Sequence, residues 1–239
     1  MKDSLVRGSV QASYAYLPTC TDQLLQRRQL LRMALALGVV SLVPQALAQE
    51  KRLTPTSEQA RGPFYPVRYP DDVDADLTRR PSGAPARGQV VYVAGRVLNV
   101  RGEPVAGAQI EIWQANAAGR YTHPRDPNPA PLDPNFDGYA RFDTDAEGRY
   151  RFKTIKPGAY GVSADWTRPP HIHFDVHGKR NRLVTQMYFA GEPLNDKDML
   201  LQSAWAKETL ISQPLASQKD KDIEPDAQVL GWDIVLVQE

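Results

Sequence analysis

The sequence is poor in cysteine, in surplus charge and in long apolar runs. Its 239 residues contain one cysteine, Cys20, so the chain can form no internal disulfide. The 29 basic and 28 acidic residues give a formal charge of +1, which leaves no basic excess to attract nucleic acid or anionic lipid. The apolar run at residues 33–43 is shorter than the roughly 20 residues that a membrane-spanning helix needs. These absences exclude a disulfide scaffold and argue against a nucleic-acid-binding protein and a membrane anchor.

The first 48 residues have the composition of a twin-arginine export signal. Arg27 and Arg28 precede the apolar run, and Ala-Leu-Ala at residues 46–48 supplies a small-residue cleavage site. A short buried helix would not need the arginine pair. We therefore expect the twin-arginine export machinery to carry the precursor to the periplasm or out of the cell, with no stable membrane anchor. Cleavage after residue 48 would remove Cys20 and leave 191 of the 239 residues.

A change in composition near Gly88 divides the rest of the chain. Residues 49–88 are rich in proline, aspartate and arginine and show no helical apolar period, which is typical of an irregular arm. Residues 89–239 contain short apolar or alternating segments separated by Gly/Pro turns, and we interpret them as the folded domain. At residues 149–155, for example, charged and apolar side chains alternate, which predicts a half-buried strand.

Short strands without alternating helices predict an all-β fold: an antiparallel β-sandwich with long loops, an irregular N-terminal arm and little helix. Strands are expected at residues 90–97, 110–113, 149–155, 172–177, 183–189 and 231–237. Weak helical character is confined to residues 199–208 and 214–220. The long proline-rich loop at residues 123–138 is expected to be functional, because loops of that length are otherwise uncommon inside a domain.

The four histidines, His123, His171, His173 and His177, fall within 55 residues of one another. His171 and His173 stand two apart among strand-forming residues, so both imidazoles are expected on one face of a strand, where they can converge on a metal ion. Tyr121 and Tyr160 fall in or beside the same window. Because phenolate is an anionic oxygen ligand, this histidine and tyrosine set indicates a hard, oxidised metal such as iron(III).

Six segments form a wider pattern around these candidates. They are WQANAAGRY at 113–121, PLDPNF at 131–136, TIKPGAY at 154–160, RPPHIHF at 168–174, TQMYFAG at 185–191 and WDIVL at 232–236. Together they resemble the intradiol ring-cleavage dioxygenase family, in its protocatechuate 3,4-dioxygenase branch of beta-subunit type. The resemblance covers roughly residues 62–237. The chain departs from that branch after Tyr160, where Gly161 and Val162 replace the usual proline and tryptophan of the pocket wall.

The resemblance implies an iron(III) centre. It implies axial ligands at Tyr160 and His173 and equatorial ligands at Tyr121 and His171. It also implies that the enzyme works as an oligomer, of one chain or of two related subunits.

The resemblance also implies the reaction. Protocatechuate or a related catechol would be opened by O2 between its two hydroxyl-bearing carbons to a cis,cis-muconate. Tyr160 would leave the metal and accept a substrate proton. Arg168 would lie over the substrate ring and stabilise its developing negative charge, with Gln186 beside it.

Two other function classes use the same residues differently. A non-catalytic exported β-sandwich that binds sugar or protein would account for GEPVAGA at residues 102–108, which is frequent in adhesion modules, but it has no use for four metal ligands. An iron(II) site of His171, His173 and Asp175 would give a facial triad. Three positions on one face of one strand form that geometry poorly, and they leave both tyrosines unused.

Overall fold

Strands make up nearly all the regular structure of the chain in its computed structural model, which describes residues 52–70, 73–80, 83–215 and 222–237. The strands within these ranges are β1 (Val90–Asn99), β2 (Gln109–Trp113), β3 (Tyr139–Asp143), β4 (Arg149–Ile155), β5 (Tyr160–Ser163), β6 (Trp166–Arg168), β7 (His171–His177), β8 (Arg182–Phe189), β9 (Ile211–Pro214), β10 (Gln228–Gly231) and β11 (Ile234–Leu236). The predicted export signal at residues 1–48, with Cys20, lies outside the described residues.

Two groups of strands share one apolar core. In the first, β1 pairs with β4 in antiparallel fashion and with β10 and β11 in parallel. In the second, β2 pairs with β3 and β7, and β7 pairs with β8, all antiparallel. β9 links the two groups, because it pairs with both β10 and β8. The predicted all-β architecture is confirmed, although the pairing is mixed rather than purely antiparallel.

Alternation along β7 places its histidines outside that core. Ile172, Phe174 and Val176 point into the apolar core. His171 and His173 lie on the opposite face, because successive residues of a strand point to opposite sides. Both imidazoles are nevertheless buried. Another part of the chain must therefore cover this face of the sheet.

The arm that precedes β1 provides part of this cover. Its described residues between 52 and 89 contain no helix and no strand, apart from an isolated bridge to β4. The Thr56 N–H donates to the Val235 carbonyl in β11 at 3.0 Å. The Gln59 N–H donates to the Val184 carbonyl in β8 at 2.9 Å. These hydrogen bonds fix the arm along the strand edges and direct its next residues over the histidines.

Helix is confined to short segments in the described ranges. The α-helix α1 spans Met199–Gln202, and two 3-10 helices span Asn195–Lys197 and Lys207–Leu210. The helix expected at residues 199–208 is therefore interrupted: only its first turn is α-helical, residues 203–206 are not helical, and residues 207 and 208 belong to a 3-10 helix. Four residues are too few for a helix that is stable by itself, and α1 is held by packing of Leu201. None of the helices described is long and apolar enough to span a membrane.

The C-terminal segments also differ from the expectation. Ile211–Pro214 pairs with β8 and β10 as β9, so the helix expected from residue 214 is wrong at its start. Residues 216–220 of that segment lie outside the described residues. The strand expected at residues 231–237 is divided into the end of β10 and the separate β11, because Trp232 turns its N–H to a carbonyl of β1 at 3.0 Å.

Candidate active site

His171 and His173 are buried and held as neutral imidazoles. Nδ1–H of His171 donates to the Pro169 carbonyl at 2.7 Å, which leaves Nε2 with its lone pair as the metal-binding atom. Burial, reinforced by the charge of Arg168, lowers the pKa of His171 to about 3. Burial and the neighbouring His171 hold the pKa of His173 well below its ordinary value. Neutral imidazole is the form that binds metals.

Two tyrosines lie near these histidines, one in the loop after β2 and one at the start of β5. Tyr121 follows β2, and the hydroxyl oxygen of its side chain lies 3.2 Å from Nε2 of His171. Tyr160 opens β5, and its ring centroid lies 6.0 Å from that of Tyr121. The centroid of His173 lies 6.1 Å from Tyr121 and 4.9 Å from His171. The structure therefore brings together all four side chains that the resemblance implies as ligands.

This donor set fits an iron(III) ion. Among the described residues, no group of three or more His, Cys, Asp or Glu side chains could hold a metal ion. The candidate donors at this site are two imidazoles and two phenol oxygens. Burial raises the pKa of Tyr121 and of Tyr160, so neither phenol ionises without a positive partner. The buried Nδ1 of His173 has no hydrogen-bond partner among the described residues, which therefore do not fully satisfy this site. A ferric ion would supply the positive charge that two phenolates require.

Arg168 forms the polar wall of the site. Its side chain is buried, and Nη1 lies 3.1 Å from Nε2 of His171. Nη2 donates to Oε1 of Gln186 at 2.8 Å and to the hydroxyl oxygen of Tyr188 at 2.6 Å. Nε2 of Gln186 donates in turn to the Ala60 carbonyl at 2.6 Å. A fixed cation therefore stands beside the ligands, and the arm helps to hold it.

The arm also shields the site from water. The Phe64 ring packs against Tyr121 and Tyr160, with centroids 4.9 and 5.5 Å away. Gly62 passes directly over His173, and a Cβ added there would lie 3.1 Å from Cε1 of that imidazole. Its φ of +73° also favours glycine. Trp113 stacks on the His173 ring at 4.9 Å and 6°, and so is a packing residue rather than a substrate platform.

The remaining histidines lie outside the ligand set. His123 packs on Phe64, and its Nδ1 accepts a hydrogen bond from the Arg125 N–H at 3.1 Å. His177 is half-buried and lies 3.0 Å from Oδ1 of Asp175. The two carboxylate oxygens of Asp175 also accept from Arg182 at 2.8 and 2.6 Å. Because Asp175 is already engaged in this way, the structure gives no support to the iron(II) triad.

Three contributors to the site were not assigned a role from the sequence. Phe64 lies in the arm, where no periodic pattern marks it. Tyr188 shares a strand face with Gln186, and that two-residue spacing is the signal that could have identified it. Asp198 pairs with Arg168 at 3.0 Å across 30 residues of sequence, and no local pattern indicates such a contact.

The region that matches known proteins begins in the arm and ends just after β11. The family described as Dioxygenase matches residues 60–238. The protocatechuate 3,4-dioxygenase beta chain of Burkholderia cepacia is 44% identical over 196 residues, which cover 77% of this chain and 81% of that one. A catechol 1,2-dioxygenase of Candida albicans is 30% identical over 222 residues, or 85% of this chain and 69% of that one.

A solved structure shows the same fold. The dioxygenase domain of a dioxygenase and carbohydrate-binding protein fusion from Streptomyces sp. SirexAA-E superimposes with a TM-score of 0.57 at 26% identity. The match covers 77% of this chain and 99% of that domain. The arm from residue 60, the sandwich and the four candidate ligands thus all lie within the matched region.

Proposed function

This chain belongs to the family of intradiol ring-cleavage dioxygenases, and from that premise we propose that it uses iron(III) and O2 to open protocatechuate or a related catechol to a cis,cis-muconate. The observation that carries the proposal is the clustering of buried Tyr121, His171 and His173 with the half-buried Tyr160, beside Arg168. As an enzyme family member, the chain is not the non-catalytic binding module weighed as an alternative.

The four donors would hold the iron, and the two tyrosines would also handle protons. Iron(III) bound there would share electrons covalently with a chelated catecholate and give its ring carbons radical character, which makes them reactive toward O2. Tyr160 is less buried than Tyr121 and begins an exposed hairpin, so it is the tyrosine better placed to move aside and accept a hydroxyl proton of the substrate. Neutral His171 and His173 remain as lone-pair donors throughout.

Arg168 and Phe64 set the environment of the reaction. The guanidinium beside His171 would stabilise the negative charge that develops on the substrate as the ring is attacked. Phe64, packed on both tyrosines, excludes water and so strengthens that interaction. Both atoms of O2 enter the product as the bond between the hydroxylated carbons breaks, which converts the catechol into a dicarboxylic acid.

A visible spectrum of the iron(III)-loaded protein tests this proposal. Two tyrosinates on iron(III) should give a wine-red charge-transfer band, and anaerobic protocatechuate should shift it to longer wavelength. Admitting O2 should then bleach the shifted band as muconate forms. A red protein whose band does not move would direct the search to other catechols. A protein that stays colourless after iron(III) loading would refute the tyrosinate site.

We also propose export and oligomerisation. Export rests on the twin arginines at residues 27 and 28 and on the cleavage site before Gln49. Replacing Arg27 and Arg28 together with lysine should retain the protein in the cytoplasm, whereas the unaltered protein should be recovered outside it with Gln49 at its N-terminus. Equal distribution of the two proteins would contradict export. Similarity to a chain called beta supports an oligomer of one or two subunit types.

A further inference from the structure

The two edges of the Arg168 guanidinium face different partners. Its Nε–H donates to Oδ1 of Asp198 at 3.3 Å, and Nη2 donates to Oδ2 of the same carboxylate at 3.0 Å. Nη1, on the far side, lies 3.1 Å from Nε2 of His171. A bidentate pair fixes the plane of a guanidinium as well as its position. The carboxylate on one edge therefore sets where the other edge points.

The hydrogen bonds of Arg168 indicate that Asp198 is the partner that fixes the orientation of its guanidinium. Nη2 carries two hydrogens but has three acceptors within 3.0 Å, on Gln186, Tyr188 and Asp198. Any one of these acceptors can be lost without leaving Nη2 unpaired. Within the described part of the chain, the single hydrogen of Nε has one acceptor, which is Asp198. Without that carboxylate, the guanidinium could turn about Nη2 while keeping its bonds to Gln186 and Tyr188.

Asp198 itself is held rigidly in the turn before α1. Its side chain is fully buried. Its carbonyl accepts the Gln202 N–H at 2.9 Å, and Oδ1 also accepts the Trp166 indole N–H at 3.2 Å. Burial alone would raise the pKa of Asp198, but hydrogen bonding and charge from Arg168 outweigh burial and leave that pKa below its ordinary value. The carboxylate is therefore an ionised, fixed reference point for the arginine.

Building on the proposed function, we propose that Asp198 is the positioning residue for Arg168, holding its Nε/Nη2 edge so that Nη1 faces the bound catechol. Asp198 does not reach the ligands or the substrate; it acts through Arg168. The proposal concerns the orientation of the Arg168 guanidinium and not its presence in the site. Without the Asp198 carboxylate, Gln186 and Tyr188 would still hold Arg168 there, but with its guanidinium turned away from the catechol.

Asp198→Asn tests this role, because it keeps the shape of the side chain but removes its charge and one acceptor. We expect kcat to fall about 10- to 100-fold, somewhat less than the loss of a whole charge-stabilising donor, while KM changes by less than about threefold. Iron content and the charge-transfer band should match the unaltered protein, since no ligand is changed. Asp198→Glu, which retains the charge and both acceptors, should give a kcat between the two.

A matched control is available in Asp175, an equally buried carboxylate with two hydrogen bonds to Arg182. Asp175→Asn should lower the free energy of unfolding but leave kcat per bound iron unchanged. An equal loss of kcat in both variants, or a loss that only follows iron content, would reduce Asp198 to a structural role and overturn the proposal. A wild-type kcat in Asp198→Asn would overturn it directly.

A crystal structure of iron-free Asp198→Asn provides a readout that does not depend on activity. Nη1 of Arg168 should have left its position 3.1 Å from Nε2 of His171, and an unmoved guanidinium would overturn the proposal. If the unaltered protein binds iron but opens no catechol, the proposed function fails while this distance still decides the role of Asp198. If Asp198→Asn does not fold, Trp166→Phe provides a second test, because it removes the indole hydrogen bond to the Asp198 carboxylate. An unchanged kcat in Trp166→Phe would then contradict the proposal.

Discussion

Tyr160→Phe should lose most of its ring-cleavage activity and a large part of its visible charge-transfer absorption. The substitution removes one anionic ligand and the base proposed to accept a substrate proton, while the ring that packs 5.5 Å from Phe64 is kept. Even the outer partners of metal ligands are worth about 10- to 100-fold, so we expect kcat to fall at least about 100-fold. Absorption spectra, iron content and single-turnover rates of the loaded variant measure the effect.

Tyr150→Phe is the matched control for this prediction. Tyr150 is a buried tyrosine whose hydroxyl donates to the Trp232 carbonyl at 2.5 Å, on the core side of the sandwich. Losing that hydrogen bond should cost about 1 kcal/mol of unfolding free energy and leave colour and kcat intact. If Tyr160→Phe retained full colour and activity, or if Tyr150→Phe lost them equally, the ligand role of Tyr160 would be refuted.

The sequence predicts the part of this site that depends on the alternation of side chains along a strand. The alternation of His171, Ile172, His173 and Phe174 is sufficient to place two imidazoles on one face and two apolar side chains in the core. Gln186 lies directly opposite His173 in the pairing of β7 with β8, so the same period places it at the site. These relations depend only on strand geometry and on antiparallel neighbours close in sequence.

Long-range pairing is the part that local patterns do not reveal. β10 and β11 come from the end of the chain and lie parallel to β1, a direction that turn signals do not specify. Four strands also escaped prediction, and two of them, β5 and β6, are short and mostly exposed and so lack an alternating pattern. Phe64, which packs on the two tyrosines, and the buried Asp198 reach the site only through tertiary contacts. The candidate ligands can thus be identified in the sequence, whereas Phe64 and Asp198, which pairs with Arg168, cannot.

Arg168→Gln should lower kcat about 100- to 1,000-fold, the usual effect of deleting a donor that stabilises developing negative charge. Iron binding and colour should persist, because Arg168 is not a ligand. Arg168→Lys should not restore the rate, since an ammonium group cannot form the fork that joins Asp198 on one edge and faces His171 from the other. Steady-state rates normalised to iron content, for the two variants and the unaltered protein, measure the loss. A fully active Arg168→Lys would show that charge alone suffices.

The free energy of unfolding, measured beside kcat, distinguishes the catalytic role of Arg168 from its structural role. Arg168→Gln leaves the Asp198 carboxylate fully buried without its cation, and breaking such a pair costs about 3–5 kcal/mol. The double variant Arg168→Gln/Asp198→Asn removes the orphaned charge, so it should recover most of that free energy of unfolding in urea titrations. It should not recover kcat, because the cation that faces the substrate is still absent. Recovery of both quantities together would mean that Arg168 supports the fold and not the reaction.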